Sequence, residues 1–280
     1  MSMAHLDSRG VIRVSGEEAE HFLQNLLTCD VSATALHQPA FGALLSPQGK
    51  ILFDFIMHRT GAQEFLFDLR AEKAGDFVKR LGFYRLRAKV AIDNRSGDLA
   101  VLTGWEETPV PENSIASGID PRLPALGWRA IVRRDDLPAS TATEDEYHAH
   151  RISLSIPEGG VDFTFEDTFP HDSDMDQLHG ISFDKGCYIG QEVVSRMQHR
   201  GTARTRTVSA RYDGTSPPVL GSDITADGKR VGVTGSGANG RVVTMVRIDK
   251  VHDARESGTP LQADGQTLIP GKPDWAAFDF

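Results

Sequence analysis

Cysteine is nearly absent from this chain: Cys29 and Cys187 are the only two in 280 residues, far apart and with no CxxC spacing. That excludes a disulfide framework and points to a reducing compartment. It also excludes a self-contained iron–sulfur cluster held by thiolates, which takes about four cysteine ligands. Any cluster chemistry would be shared with a partner. Long apolar runs are missing too, none approaching the ~18 residues of a membrane span. The N-terminus turns polar at His5, Asp7, Ser8 and Arg9, without the basic-then-apolar pattern of a secretory signal. A cytoplasmic protein with no membrane partner is the expectation. An excess of positive charge is lacking as well. The net charge of −9 opposes nonspecific nucleic-acid binding, so nucleic acid is not an expected partner.

What is present is an ordinary globular composition on a chain long enough for two or three cores. Ser15-Gly16-Glu17-Glu18 reads as a capping box opening an amphipathic helix to about Leu27, with Ala19, Phe22, Leu23, Leu26 and Leu27 at helical spacing. Strands are predicted over Phe41 to Leu45, Lys50 to Arg59 and Phe65 to Leu69, the first two joined by a Pro47-Gln48-Gly49 turn. A helix over Ala71 to Leu81 and a strand over Arg85 to Ile92 complete a ferredoxin-like layer. Further strands fall at Asp98 to Gly104 and Trp128 to Arg133, with a Pro-rich loop between them. Thr143-Glu144-Asp145-Glu146 is a second capping box whose helix Pro157 terminates.

From Gly201 the texture becomes short β runs, predicting a small barrel with strands at Val208 to Tyr212, Val231 to Thr234 and Arg241 to Ile248. A literal GxGxxG at Gly235 to Gly240 is followed by a β-branched strand rather than a helix, so it reads as a hairpin turn and not a nucleotide loop.

The most informative segment is Lys185-Gly186-Cys187-Tyr188-Ile189-Gly190-Gln191-Glu192. Gly186 and Gly190 free the backbone on either side of Cys187 for positive φ or close approach. A helix follows over Gln191 to Gln198, so Cys187 stands just ahead of a helix N-terminus with Lys185 and Arg196 as nearby cations. Such surroundings favour thiolate. On local chemistry alone, a reactive or ligating sulfur and a small buried packing residue are both open. Arg196, His199, Arg200, Arg204 and Arg206 form a basic cluster, either a solvated helix end and edge strand or a mouth for an anionic ligand. Asp167, His171, Asp172, Asp174 and Asp176 are dense in acid but lack the glycine and distal glutamate of an EF-hand. They read as a solvated loop with one or two carboxylates lining a ligand cleft, and not as a metal site.

The run KGCYIGQE, followed by Arg196 and Gly201, resembles the motif of the folate-binding YgfZ family, relatives of the glycine cleavage T-protein that act in iron–sulfur protein maturation. Phe22 to Val31 is similar to that family's "FLQ…LT.DV" helix-to-strand entry, Leu44 to Ile51 to its "LL.P.GK" hairpin and Tyr84 to Val90 to its "YRLR.KV" strand. The resemblance covers about residues 10 to 250. It implies an α+β, T-protein-like body of two interleaved subdomains over residues 1–200 and a C-terminal β-barrel over 201–280, around a central cleft.

It implies tetrahydrofolate as cofactor, and iron–sulfur assembly proteins or client iron–sulfur enzymes as partners. Cys187 and Lys185 are then the chemical centre, and Gln191 and Glu192 fix the turn and helix start. Asp54, Arg151, Asp172, Tyr188 and Arg196 complete the folate site. Where T-proteins carry an Asp-Asp pair this chain has Phe53 and Asp54, and where they carry Arg-x-Glu it has Arg151-Ile152-Ser153. Two lost carboxylates put aminomethyl transfer in doubt, because control of charge at the folate nitrogens needs a positioned acid. An accessory factor rather than a classical enzyme is therefore expected. A folate-dependent one-carbon transferase and a non-catalytic scaffold are the alternatives.

Overall fold

A computed structural model describes residues 1–201 and 203–280. The chain divides into two compact units, one of residues Met1–Tyr147 and Leu178–Gln191, the other of His148–Gln177 and Glu192–Phe280.

The first unit contains two antiparallel sheets. One is built from β1 (Ser2–His5), β7 (Leu99–Trp105), β8 (Ala116–Ile119) and β9 (Trp128–Arg133), in the order β1-β7-β9-β8. The other has five strands: β2 (Arg9–Ser15), β3 (Pro39–Leu45), β4 (Ile51–Gly61), β5 (Glu64–Arg70) and β6 (Ala91–Asn94), ordered β3-β4-β5-β2-β6. Helices α1 (Ala19–Gln24) and α2 (Ala74–Arg85) supply Leu23 and Phe77 to its core. Phe53, Phe55 and Phe67 meet the Phe77 ring at 5.3, 5.9 and 5.5 Å. Rings at this separation add to burial through edge-to-face and tilted contacts.

Three local expectations are corrected. The first capping box does not form: Ser15 is held in β2, Gly16 turns the chain at φ 132°, and α1 starts after Glu18 with no side-chain cap. Glu18 instead accepts a hydrogen bond from the Lys89 amide at 2.7 Å. Arg85 to Ile92 is not one strand, because α2 runs through Arg85, Leu86 takes φ 45° and the strand starts at Ala91. The Pro-rich loop contains β8, which pairs with β9. The second capping box is present: the Thr143 amide donates to Glu146 at 2.7 Å and the Glu146 amide to Thr143 Oγ1 at 3.2 Å, opening α3 (Glu144–Ser153).

The second unit holds most of α4 (Gln191–Arg200) and a closed barrel. Its strands are β10 (Thr205–Tyr212), β11 (Asp223–Ala226), β12 (Lys229–Ala238), β13 (Arg241–Arg247), β14 (Leu261–Ala263) and β15 (Gln266–Gly271), ordered β10-β13-β12-β11-β14-β15. Antiparallel pairing of β15 with β10 closes it, which removes free sheet edges. Val208, Ile224, Val242 and Leu268 fill the interior, and α5 (Ile248–Glu256) adds Val251 and Ala254. Asn239 and Gly240, at φ 50° and 78°, make the β12–β13 turn inside the GxGxxG string, a hairpin as expected.

Candidate functional site

In the first unit, segment 178–191 lies against the end of α1 and the β3–β4 hairpin. The side-chain amide of Gln24 closes the loop after α1, donating to Asp30 at 3.0 Å and accepting from the Val31 amide at 2.8 Å. Within that loop the Thr28 hydroxyl donates to the Gly180 carbonyl at 2.6 Å and accepts from the Ala43 amide at 2.8 Å, while the Ser182 amide donates to the Thr28 carbonyl at 2.9 Å. The segment is thereby stitched to β3 through one buried threonine.

Lys185 is buried, and its ammonium donates to the carbonyls of Leu27 at 2.8 Å and Cys29 at 2.7 Å. It also lies 5.5 Å above the Tyr188 ring, a cation–π distance. Burial pulls its pKa below the ordinary lysine value, with Cys29 and Asp30 opposing. The expectation of Lys185 as a cation serving the thiol is therefore corrected: its charge turns inward to two backbone acceptors. Cys187, two residues on, is exposed. The packing alternative for this sulfur belongs to Cys29, which is buried and whose thiol burial pushes up to about 11 against the charge of Lys185.

The two glycines of the motif differ. Gly190 has φ 82°, and a Cβ there would stand 2.7 Å from the Ser46 carbonyl and 3.1 Å from Gly49 Cα, so only glycine fits against the β3–β4 turn. Gly186 has neither positive φ nor any atom within 4 Å of a would-be Cβ; its expected special backbone is absent. Gln191 fixes the turn as expected, accepting from the Tyr188 amide at 3.3 Å. Tyr188 itself is buried, its hydroxyl has no hydrogen-bond partner among the described residues, and burial raises its pKa to about 12. Glu192 does not hold the turn. It is exposed and pairs with Arg196 at 2.5 Å, one helical turn on.

The remaining candidates take other roles. Asp54 is buried on β4, its side chain alternating with those of Phe53 and Phe55. Arg151, in the second unit, is fully buried and bonded to Asp162 at 2.7 Å, Ser236 at 3.1 Å, His148 at 2.9 Å and the Ile156 carbonyl at 3.1 Å. Its donors are committed to the protein, which removes it as a folate anchor. Asp172 lies in a turn where its carboxylate accepts from the Phe169 amide at 3.4 Å.

The basic cluster divides. Arg206 is buried and paired with Asp176 at 2.6 Å and Asp174 at 3.3 Å, whereas Arg196 is exposed. The acidic loop is accordingly not a solvated one, since Asp174 and Asp176 are consumed by Arg206. Burial holds the Asp174 carboxyl well above the ordinary carboxylate range, with Arg206 opposing.

Sequence reasoning missed a buried ionic network in the first unit. Arg129 on β9 bonds to Asp68 on β5 at 2.9 Å, to Asp120 at 3.3 Å and to the Tyr147 hydroxyl at 2.7 Å. Arg9 also pairs with Asp68 and Arg122 with Asp120, at 2.5 and 2.7 Å. Burial works against the Asp120 carboxylate, and Arg122 with Arg129 outweighs it, holding the group below its ordinary range. A signal existed, a lone charge inside apolar strands (Phe65-Leu66-Phe67-Asp68 and Trp128-Arg129-Ala130-Ile131). A cavity of about 580 Å³ lies in this unit, lined by His37, Pro39, Phe41, Ile119, Asp120 and His179, none of them singled out in the sequence.

The architecture is that of the aminomethyltransferase T-proteins, with an exposed cysteine on a pinned segment of the first unit. The glycine cleavage system aminomethyltransferase T of Bartonella henselae superposes with a TM-score of 0.72, covering 98% of this chain and 86% of that one at 15% identity. Family models for the GCVT N-terminal domain and for the CAF17 C-terminal beta-barrel domain match residues 2–104 and 204–278. The mitochondrial iron-sulfur cluster assembly factor IBA57 homolog of Mycosarcoma maydis is 30% identical over 99% of this chain and 85% of its own length. The human mitochondrial IBA57 is 30% identical over 96% and 84%. The chain belongs to the IBA57 family of iron–sulfur cluster assembly factors. Both relatives are mitochondrial by name, and the expectation of a cytoplasmic protein is withdrawn on that ground.

Proposed function

We propose that the chain is a tetrahydrofolate-binding accessory factor in the assembly or repair of iron–sulfur proteins, with the Cys187 thiol as its reacting group. The observation that carries this reading is the placement of Cys187: exposed, between a Lys185 whose ammonium is tied to two carbonyls and a buried Tyr188 whose amide donates to Gln191. A solvent-facing thiol held there can act as a nucleophile or as one ligand of a cluster completed by a partner's cysteines. The family name of the relatives and the YgfZ-like motif support the iron–sulfur role, and the T-protein-like fold supports folate. Turnover as an aminomethyltransferase is disfavoured by Phe53, which is core against Phe77, and by Ser153, whose hydroxyl donates to the His150 carbonyl at 2.7 Å.

The test has two arms. Limited iodoacetamide treatment followed by peptide mass spectrometry should alkylate Cys187 first, and Cys187→Ser should keep the wild-type melting temperature yet fail to restore iron–sulfur enzyme activities in a strain lacking the gene. Calorimetry should show tetrahydrofolate binding, with no methylene-tetrahydrofolate formed from aminomethyl donors. Full complementation by Cys187→Ser would sink the thiol role. Robust turnover would instead establish the transferase.

A further inference from the structure

The C-terminal end of α2 turns two large apolar side chains into solvent. Phe83 is 74% and Leu86 88% exposed, while Val78, Tyr84 and Ala88 on the same stretch pack onto the core. The inward side chains complete the hydrophobic face that the fold requires, so the outward pair has no internal function. Five cations stand around this pair: Lys79, Arg80, Arg85, Arg87 and Lys89, all exposed, in a chain of net charge −9. Lys79 and Lys89 have carboxylate neighbours, Asp76 at 3.7 Å and Glu17 at 2.7 Å. Arg80, Arg85 and Arg87 have none among the described residues.

A cation near a helix C-terminus complements the helix dipole, which accounts for Arg85. It accounts neither for Arg80 nor for the apolar pair. Gly75 and Gly82 lie on the exposed side of α2 with nothing within 4 Å of a would-be Cβ. Glycine weakens a helix relative to alanine, and nothing inside this fold requires it at either place.

We propose that this end of α2 is a docking surface for an acidic protein, with Phe83 and Leu86 as the apolar anchors and Arg80, Arg85 and Arg87 as the partners of its carboxylates. Exposed aromatic and apolar anchors ringed by arginine have the composition of a binding hot spot. The unpaired guanidinium groups specify the sign of what they meet, and their planar fork suits carboxylates. A protein is favoured over an anionic bilayer because Glu17, Glu18 and Asp76 sit within the same patch. Such a mixed-sign surface suits a partner of matched charge pattern, while a uniformly negative membrane would be repelled by those carboxylates. The surface is independent of the thiol and of folate.

The test is photo-crosslinking of the full chain in the cells it comes from, with p-benzoylphenylalanine placed at position 83 and, as control, at Ile269 on β15, another exposed apolar residue. Position 83 should cross-link to one defined protein segment, identified by peptide mass spectrometry and flanked by Asp and Glu. The combined change Arg80→Glu, Arg85→Glu and Arg87→Glu should lower that yield at least about tenfold, since like charges juxtaposed across an interface are strongly unfavourable, with melting unchanged. Yields no higher than from position 269, cross-links only to a second copy of this chain, or charge-dependent cosedimentation with phosphatidylserine vesicles in place of a protein cross-link would each overturn the proposal.

Discussion

The ammonium of Lys185 donates to the carbonyl oxygen of Cys29 at 2.7 Å, joining the charged residue of one distinctive motif to the backbone of the other cysteine. The contact converts a residue type that usually faces water into an internal fastener, and it sets the expected phenotype of its loss. Lys185→Met keeps the aliphatic stem but leaves the Leu27 and Cys29 carbonyls without their donor. A buried acceptor left unmatched costs roughly 1–3 kcal/mol. We expect a loss of about 2 kcal/mol, read as a melting temperature lower by roughly 4–8 °C. An unchanged melting curve would return Lys185 to the surface.

Gly190 and Gly186 should separate under the same substitution. Gly190→Ala must place a Cβ 2.7 Å from the Ser46 carbonyl at φ 82°, so a loss of about 1–3 kcal/mol is expected. Gly186→Ala meets open space and should fall within about 0.5 kcal/mol of wild type. Parallel urea titrations of the two variants make the comparison.

Arg151 and Arg196 offer a second contrast. Arg151→Leu leaves Asp162 and Glu158 buried without their guanidinium, and breaking such a pair from one side costs about 3–5 kcal/mol. Arg196→Ala removes only an exposed i,i+4 pair, worth about 0.3–0.5 kcal/mol. Equal melting of the two variants would contradict the structural assignment of Arg151.

His58 gives the first unit an acid sensitivity. It is completely buried, and burial lowers its pKa from 6.5 to about 4, with Asp68 and Asp120 opposing and Arg129 reinforcing. The unfolded chain binds this proton first, so the contribution is intact above pH 6.5 and is lost as pH falls toward 4, by about 3 kcal/mol in all. The Asp174 carboxyl, raised in the fold, acts in the opposite sense: its contribution is present below its unfolded value and lost as pH rises. Subtracting the pH–stability curve of His58→Gln from that of the wild type isolates the histidine. That difference should fall steadily, by about 3 kcal/mol, from pH 6.5 down to 4.

Legibility followed the range of the forces involved. The barrel and its hairpin were readable because β-branched alternation and Asn239-Gly240 act over a few residues, and Thr143 with Glu146 announced α3 for the same reason. Ser15 and Glu18 carry the same local pattern, yet pairing of Ser15 with Glu64 and Ala91 on neighbouring strands overrode it. Within the candidate site, Gly190 and Gln191 were legible because a turn needs them. Lys185 was misread because its partners are main-chain carbonyls, which leave no mark on a sequence. Arg129 and Arg206 were missed or misplaced because their carboxylates come from other strands and loops.

The discontinuity of the first unit bears on synthesis. Its last piece, Leu178–Gln191, follows thirty residues of the other unit and carries both fasteners, Lys185 and Gly190. A ribosome therefore releases α1 and the β3–β4 hairpin long before the segment that closes over them, and a chain arrested after Tyr147 lacks it altogether. Lys185 and Gly190 can fasten the segment that carries Cys187 only after the intervening residues of the other unit have been made, so the thiol takes its fixed place late in synthesis.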